Sequence, residues 1–226
     1  MKKNIKLVSL LFALVLMFTA CKSLNLSIFG DDFDAGAFVE GDFRSTYLNE
    51  HTDEYIALMH EGMSKEELED IHHELVGVEI EHFFTYCEIE IDALPDEMLE
   101  RAYLLFHNII TQTKFEIIET EKKGADYFVT LELSPIDIIQ KAITEEFMNN
   151  LIEEYNALEV ETIEEAEIFY ADAILTQMES HLETLGYYPA QTLVIEMRFK
   201  EKYYEMVADD AQEFNALYLA YEEYKE

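Results

Sequence analysis

The sequence has no tryptophan, three prolines and seven glycines in 226 residues. Its glycines are too far apart to form the phosphate-binding loop of an NTPase or the Gly-x-Gly-x-x-Gly turn of a dinucleotide-binding fold. No Gly-x-Ser-x-Gly nucleophile elbow occurs either. The lack of tryptophan disfavours a cleft in which sugar rings stack on indole. These absences exclude the common nucleotide-binding loops and the nucleophile of the α/β-hydrolases.

Basic residues are also scarce. Lysine and arginine number 15 against 49 aspartates and glutamates, so the formal net charge is −34. A surface this acidic repels phosphate backbones and anionic lipid headgroups. We therefore expect no nucleic-acid partner. We expect attraction toward cations and toward a basic protein or peptide.

The first residues carry a targeting pattern. Lys2, Lys3 and Lys6 precede the apolar run Leu7 to Phe18, which is shorter than the roughly 20 residues of a spanning helix. A basic start, a short apolar run and a small residue before the cleavage point are typical of a secretory signal peptide. The pattern predicts a leader over residues 1–20. Its removal takes away three lysines and no acid, so the net charge falls from −34 to −37.

The leader ends in Phe18-Thr19-Ala20-Cys21, which resembles the lipobox of bacterial lipoproteins, with phenylalanine where leucine is usual. In a lipobox the cysteine receives a diacylglyceryl group and becomes the new N-terminus. We therefore predict that Cys21 is lipidated and holds the protein on the outer face of the cell membrane. A plain secreted protein with an incidental cysteine is the alternative. With Cys21 used for the lipid, Cys87 is the single remaining thiol, so no internal disulfide can form.

The rest of the chain divides into a tether, residues 21–33, and a single extracytoplasmic domain, residues 34–226. This length is ample for a hydrophobic core. A weak two-fold repeat of helices, hairpin and helix divides the domain into sub-units 34–135 and 136–226. Chance similarity of two amphipathic stretches is the alternative explanation of the repeat.

Three places carry a hydroxyl residue followed three positions later by an acid, the pattern of a capping box at the start of a helix. They are Ser64 with Glu67, Ser134 with Asp137, and Thr162 with Glu165. Each opens a run of apolar residues at helical spacing, and a further helix is expected from about Asp96. Helices should therefore dominate the fold.

Strand patterns are fewer. Two pairs of β-rich segments around short turns predict antiparallel hairpins over residues 115–133 and 193–207. Residues 78–81 and 88–91 also alternate as a strand would, which leaves the helix boundary near Cys87 open. The predicted fold class is α+β, predominantly helical with small antiparallel β-hairpins.

Several short segments together are similar to one group of bacterial proteins. They are Phe38-Val39-Glu40-Gly41-Asp42, Tyr47-Leu48, Lys114-Phe115, Tyr127-Phe128-Val129-Thr130 and Ser134-Pro135-Ile136-Asp137. This pattern resembles candidate lipoproteins of Gram-positive bacteria that share a domain of unknown function, over nearly the whole chain after the leader. The resemblance implies the lipoprotein class and an α+β domain. It implies no particular activity.

Two glutamates, Glu69 and Glu79, each precede a histidine by three positions, His72 and His82. Di-iron carboxylate proteins use this Glu-x-x-His spacing to place two metal ligands on one helical face, but they take the motifs from different helices. With 49 acidic residues such pairs also arise by chance. Of the two hypotheses, a metal site and a solvated helix face, the sequence favours the second, and we expect no cofactor.

The aromatic pairs Tyr187-Tyr188 and Tyr203-Tyr204 fall at turns or strands rather than on a helical stripe, so they are candidates for an exposed aromatic patch. Lipid anchoring without a recognisable catalytic motif favours a non-catalytic binding or interaction module at the cell surface. The alternative is a cell-envelope hydrolase that uses paired carboxylates, because 49 acidic residues can conceal such a pair.

Overall fold

The computed structural model describes residues 33–59, 63–158, 162–200 and 203–221, so the leader and Cys21 lie outside the described residues. Within these ranges the chain forms eight α-helices and four β-strands. The helices are α1 (Ala35–Leu48), α2 (Asp53–Leu58), α3 (Lys65–Tyr86), α4 (Asp96–Ile110), α5 (Ile138–Ala142), α6 (Glu145–Ala157), α7 (Ile163–His181) and α8 (Ala208–Leu217). The strands are β1 (Lys114–Lys123), β2 (Asp126–Ser134), β3 (Gln191–Lys200) and β4 (Tyr203–Met206). The predicted α+β class is confirmed.

Both predicted hairpins are present, and they join into one antiparallel sheet of order β1-β2-β3-β4. The central contact pairs β2 with β3, from Tyr127 opposite Met197 to Leu133 opposite Gln191. Sequence patterns predicted each hairpin separately, whereas the pairing of one hairpin with the other is a finding of the structure. The sheet has two edges, the ten-residue strand β1 and the four-residue strand β4.

Alternation along the strands gives the sheet a buried face and an open face. Val129 and Leu131 of β2 and Ile195 of β3 are completely buried. On β1 the ring of Phe115 lies 5.8 Å, between centroids, from the ring of Phe43 on α1. The buried apolar side chains form one cluster that includes residues from both halves of the chain. None of the described helices has the length and apolarity that a membrane span requires.

Two of the three predicted capping boxes are confirmed. At the start of α3 the hydroxyl of Ser64 accepts from the backbone N–H of Glu67, whose carboxylate accepts from the backbone N–H of Ser64. Thr162 and Glu165 form the same reciprocal pair at the start of α7. These caps need only residues within one turn, which explains why a local sequence pattern found them.

The third predicted box, at Ser134, is wrong. Ser134 is the last residue of β2 and pairs with Lys114 across the sheet. The helix α5 begins four residues later, and its N-cap residue, Asp137, makes no side-chain cap. Its carboxylate instead accepts from the backbone N–H of Gly186, 2.9 Å away, and pairs with Lys141. A β-carbon at Gly186 would lie 2.7 Å from that carboxylate, so a larger residue there would displace the Asp137 side chain.

Helix boundaries differ from the sequence pattern at two further places. The apolar run after Asp137 is divided into α5 and α6, because Thr144 caps a new helix by accepting from the backbone N–H of Phe147. Residues 78–81, which alternate as a strand would, lie inside α3. The second strand-like segment, residues 88–91, leads into a short 3₁₀ helix, Ile91–Ala93. The repeat and the domain boundaries remain predictions.

Candidate functional site

The four residues of the predicted metal site all lie on α3, but in different surroundings. Glu69 is exposed, and His82 keeps 40% of its side-chain surface. His72 and Glu79 are buried, with exposed fractions of 1% and 6%. A solvated helix face is therefore wrong for His72 and Glu79. Among the described residues, no group of three or more histidine, cysteine or carboxylate side chains is placed to hold a metal ion.

His72 belongs to a buried imidazole pair. Its Nδ1 lies 2.8 Å from the carbonyl oxygen of Thr46, and its Nε2 lies 2.9 Å from Nδ1 of His107. A carbonyl oxygen can only accept, so Nδ1 of His72 carries the proton and Nε2 of the neutral ring accepts from His107. Burial lowers the pKa of His72, the hydrogen bond to the carbonyl of Thr46 opposes this change, and the neighbouring His107, His51 and His73 lower the pKa further. The pair joins the end of α1 to α3 and α4.

Glu79 belongs to a second buried network. Its carboxylate accepts a 2.5 Å hydrogen bond from the hydroxyl of Tyr218 and another from the hydroxyl of Tyr221. Nδ1 of His82 lies 3.7 Å from the same carboxylate. Burial and the charge of Glu79 raise the pKa of both tyrosines well above the ordinary value. The hydroxyl of Tyr86 donates to the carbonyl of Tyr221, so Glu79 and its helix hold residues 218–221 against the core.

The tyrosines of the predicted aromatic patch do not come together. Tyr204 is 6% exposed and stacks on Phe33 with ring centroids 4.6 Å apart, so its assignment to an exposed patch is wrong. Tyr187, Tyr188 and Tyr203 are half-buried. One pair precedes the start of β3 and the other follows its end. At about 3.3 Å per residue, the ten residues of β3 keep the two pairs about 30 Å apart.

Tyr187 borders the open face of the sheet. Its hydroxyl donates to the carbonyl of Gln112 over 2.8 Å, and Nζ of Lys114 lies 3.7 Å from the centroid of its ring. Lys114 is the first residue of β1. The cation and the ring therefore occupy one end of the edge strand together.

In one half of the open face, the acidic side chains form ion pairs with basic side chains of the same face. Lys123 pairs with Glu121 at 2.7 Å and Arg198 pairs with Glu196 at 3.0 Å. Lys200 of β3 pairs with Glu205 of β4. These side chains lie toward the ends of β1 and β3 that are farthest from Tyr187.

The other half of the open face carries carboxylates without such partners. Glu116 of β1 stands directly opposite Glu132 of β2, and both are exposed. Glu119 stands opposite Thr130 on the same face. The described residues supply no ion pair to these three carboxylates. Like charges directly opposite each other on a sheet are destabilising, so this half of the face is a site of uncompensated negative charge.

A β-bulge creates this arrangement. The pairing with β2 shifts between Ile117 and Glu119, which leaves Ile118 as the extra residue with 51% of its surface exposed. Glu116 and Glu119 are three residues apart, and in a regular strand an odd spacing would put them on opposite faces. The bulge turns both onto the open face, because an extra residue reverses the alternation beyond it. On β3 the exposed Val194 lies opposite Thr130.

Sequence reasoning missed these three glutamates. The alternation of polar and apolar residues from Tyr127 to Leu133 does assign Glu132 to the solvent face of a strand. No local pattern reveals the bulge, and therefore none assigns Glu119 to the same face as Glu116. The register of β1 against β2 decides that placement.

A shallow pocket of about 320 Å³ lies between α4 and α7. Arg101 lies on its wall and donates to both oxygens of Glu179 at 2.7 Å, and to Asp172 at 2.6 Å. These hydrogen bonds raise the pKa of Arg101. The carboxylate of Glu179 is thus held by the guanidinium of Arg101.

Ser45, His51 and Asn49 at the end of α1 have the hydrogen bonds of a serine–histidine–amide relay. The hydroxyl of Ser45 lies 2.8 Å from Nδ1 of His51, and Nε2 of His51 lies 2.9 Å from the side-chain oxygen of Asn49. However, Ser45 is 2% exposed, so a substrate cannot reach its oxygen. Asn49 is the C-cap of α1 at φ 57°, and the relay closes the end of that helix.

Asp42 on α1 titrates close to neutrality. Burial raises its pKa from 3.8 to about 6, and the hydrogen bond from the hydroxyl of Tyr55, 2.6 Å long, opposes that change. Tyr55 packs tightly on α1, since a β-carbon at Gly41 would lie 2.6 Å from its ring. Asp42 therefore makes the fold sensitive to pH near 6.

Comparisons with known proteins identify the fold. The chain is similar to ycdA, a candidate lipoprotein from Bacillus subtilis subsp. subtilis str. 168, with a TM-score of 0.56 and 11% sequence identity. The match covers 90% of this chain and 59% of the ycdA chain, so this chain spans less than two thirds of the length of the chain it matches. No family model and no curated protein matches the sequence. At 11% identity the likeness establishes a shared fold.

Proposed function

We propose that this protein is a lipid-anchored extracytoplasmic lipoprotein whose folded domain binds a basic protein or peptide. The observation that carries the binding role is the open face of the sheet, where Glu116 stands opposite Glu132 and Glu119 lies beside them. A lysine or arginine side chain of a partner would relieve this repulsion by pairing with two carboxylates at once. The leader, the lipobox-like end at Cys21 and a fold shared with a candidate lipoprotein support the anchoring.

The proposed anchor holds the domain near the membrane. Two acyl chains on Cys21 give stable attachment, because each buried CH₂ contributes about 0.8 kcal/mol and a single chain binds marginally. The predicted tether ends at Phe33, which is buried in the core, so the chain from Cys21 to Phe33 reaches at most about 42 Å when fully extended. The net charge of the domain repels anionic headgroups, which favours a partner that approaches from the solvent side or carries basic residues.

Charge also sets how the partner would be captured. Complementary charges accelerate encounter and are screened beyond about 10 Å at 0.1 M salt. Binding should therefore weaken as salt rises.

The anchor is tested by membrane fractionation of Cys21→Ser, with Cys87→Ser as the matched control. Burial raises the pKa of Cys87 to about 12, so its thiol stays protonated and unreactive at neutral pH. We expect Cys21→Ser to leave the membrane fraction and Cys87→Ser to remain in it. A Cys21→Ser protein that still sediments with membranes would contradict the lipoprotein assignment.

The binding role is tested by retaining proteins from a cell-envelope extract on the purified protein at low and at high salt. We expect a basic protein or peptide to be retained at low salt and released at high salt. Replacing Glu116, Glu119 and Glu132 by glutamine should reduce retention. The matched control replaces the exposed Glu74, Glu153 and Glu154 by glutamine and should retain the partner.

The alternative function gives a different result in the same preparation. A cell-envelope hydrolase using paired carboxylates would degrade an envelope polymer and lose that activity when one glutamate is changed to glutamine. Such hydrolysis, combined with no retained partner at low salt, would overturn the binding role.

A further inference from the structure

The edge strand β1 carries backbone groups beside Glu116 and Glu119 that pair with no other strand in the described part of the chain. It is ten residues long, it pairs with β2 on one side, and no other described strand pairs with its free side. In an antiparallel pair, alternate residues direct their N–H and C=O groups away from the partner strand. Most of β1 is exposed, including Ile118 at the bulge. An extended chain can therefore add to this edge as a further strand.

The chemistry of the added strand follows from its position. A fifth strand would lie about 4.8 Å from β1, and alternate side chains of it would stand on the open face beside Glu116 and Glu119. Cross-strand pairs of opposite charge stabilise a sheet. Basic side chains at those alternate positions would meet the uncompensated carboxylates, including Glu132 one strand farther in.

A second copy of this chain does not fit the same edge. In the fully overlapping antiparallel register, Lys114 would face Lys123 and Glu116 would face Glu121. In the parallel register each glutamate would face its own copy. Like charges opposite each other are destabilising, so the charges along this edge oppose self-pairing.

We propose that the edge strand β1 binds an extended, basic segment of the partner by strand addition, with alternate lysine or arginine side chains over Glu116, Glu119 and Glu132. This inference rests on the proposed binding function and adds the mode of recognition. Backbone hydrogen bonds to β1 hold the segment, and the carboxylates select a basic one. The bulge at Ile118 brings Glu119 onto the face that recognises it.

The test uses a synthetic peptide of about eight residues in which lysine alternates with valine, and its acidic counterpart in which glutamate replaces lysine. We expect the purified protein to bind the basic peptide and not the acidic one. N-methylation of alternate residues blocks one hydrogen-bonding edge of the peptide without changing its charge. Methylation along one edge should abolish binding, and methylation along the other edge should leave it unchanged.

The second part of the test uses variants of the protein in which the charge of glutamates on the edge strand β1 is reversed. Glu116→Lys with Glu119→Lys should weaken peptide binding by at least about tenfold, because two favourable charge pairs become repulsive. Glu153→Lys with Glu154→Lys makes the same change of net charge on α6 and should have little effect. Hydrogen exchange should show that outward-facing amides of β1 become protected when the basic peptide binds.

Three results would overturn strand addition. They are equal binding of both methylated peptides, equal loss in the edge variant and the α6 variant, or self-association of the protein that the edge variant abolishes. The proposed function fails separately, if the unaltered protein retains no basic partner at low salt. A partner retained equally by the edge variant and the unaltered protein would leave the binding function standing and refute this site.

Discussion

The Glu-x-x-His pattern occurs twice on α3, and the two copies are buried in opposite ways. In the first copy His72 is buried and Glu69 is exposed, whereas in the second Glu79 is buried and His82 keeps 40% of its side-chain surface. The buried members, His72 and Glu79, are seven residues apart. Seven residues are close to two helical turns, so both lie on the stripe that faces the core. A motif's spacing alone therefore does not decide which member faces the interior.

The two buried residues also differ in chemistry. Glu79 presents a charged acceptor that receives two tyrosine hydroxyls and thereby holds residues 218–221. His72 is a neutral ring between the carbonyl of Thr46 and the imidazole of His107. Hydrogen bonds to charged groups are worth more than those between neutral groups. We therefore expect the carboxylate network to contribute more to stability than the imidazole network.

The largest effect is expected from Glu79→Ala. The change leaves the buried hydroxyl of Tyr218 and the hydroxyl of Tyr221 without their acceptor, which should lower the free energy of unfolding by about 3 kcal/mol. Urea-induced unfolding measures the loss. Glu69→Ala, at an exposed position on the same helix, should change it by less than about 0.5 kcal/mol. Equal effects of the two changes would show that the carboxylate network is not a stabilising element.

A smaller loss is expected from His72→Ala. Removal of the buried ring leaves the carbonyl of Thr46 and Nδ1 of His107 without a partner and opens a cavity, so the free energy of unfolding should fall by about 2 kcal/mol. His73→Ala is the neighbouring control, because His73 is exposed. If His72→Ala proves more destabilising than Glu79→Ala, the imidazole network contributes more to stability than the carboxylate network.

Acidity should separate His72 and Asp42 by the sign of their effect on stability. The pKa of His72 is lowered from 6.5, so below about pH 6.5 the unfolded chain binds a proton that the folded chain does not, and stability falls as the pH falls. The pKa of Asp42 is raised from 3.8 to about 6, so between about pH 6 and 4 the folded chain binds the extra proton. The contribution of Asp42 therefore increases as the pH falls and is lost as the pH rises through about 6.

Two substitutions isolate these opposite contributions. The free energy of unfolding is measured with urea at about pH 7 and about pH 5. Between these two values Asp42→Asn should lose about 1–2 kcal/mol more stability than the unaltered protein, since each unit of pKa is worth about 1.4 kcal/mol. His72→Asn should lose less stability than the unaltered protein as the pH falls over the same range. Parallel pH profiles for all three proteins would refute both assignments.

The smallest effect is expected for metal content. Replacing His72 and His82 together by alanine should leave any bound zinc, iron or manganese unaltered, because the two rings have different partners and different exposure. Elemental analysis of the purified protein measures this. Stoichiometric metal that disappears in the double variant would restore the metal hypothesis. Diffuse calcium binding that salt removes would not, since so negative a surface attracts cations without a designed site.

Patterns within a few residues of one another were readable from the sequence. The capping boxes at Ser64 and Thr162 depend on groups one turn apart, and the two hairpins depend on β-rich segments beside short turns. The leader and the lipobox-like end at Cys21 are patterns of the same kind, and they remain predictions. The hydroxyl at Ser134 has the same local pattern as the confirmed caps, yet its residue is held in β2 by pairing with Lys114.

The sequence by itself therefore determined the class of fold, most of its elements and the excess of negative charge. The tertiary structure decided which polar residues are buried and which carboxylates share one face of the sheet. Burial of His72 and Glu79 depends on what packs against α3, and the common face of Glu116, Glu119 and Glu132 depends on the register of β1 against β2. Contacts between residues far apart in the chain set both, and a local pattern carries no information about such contacts.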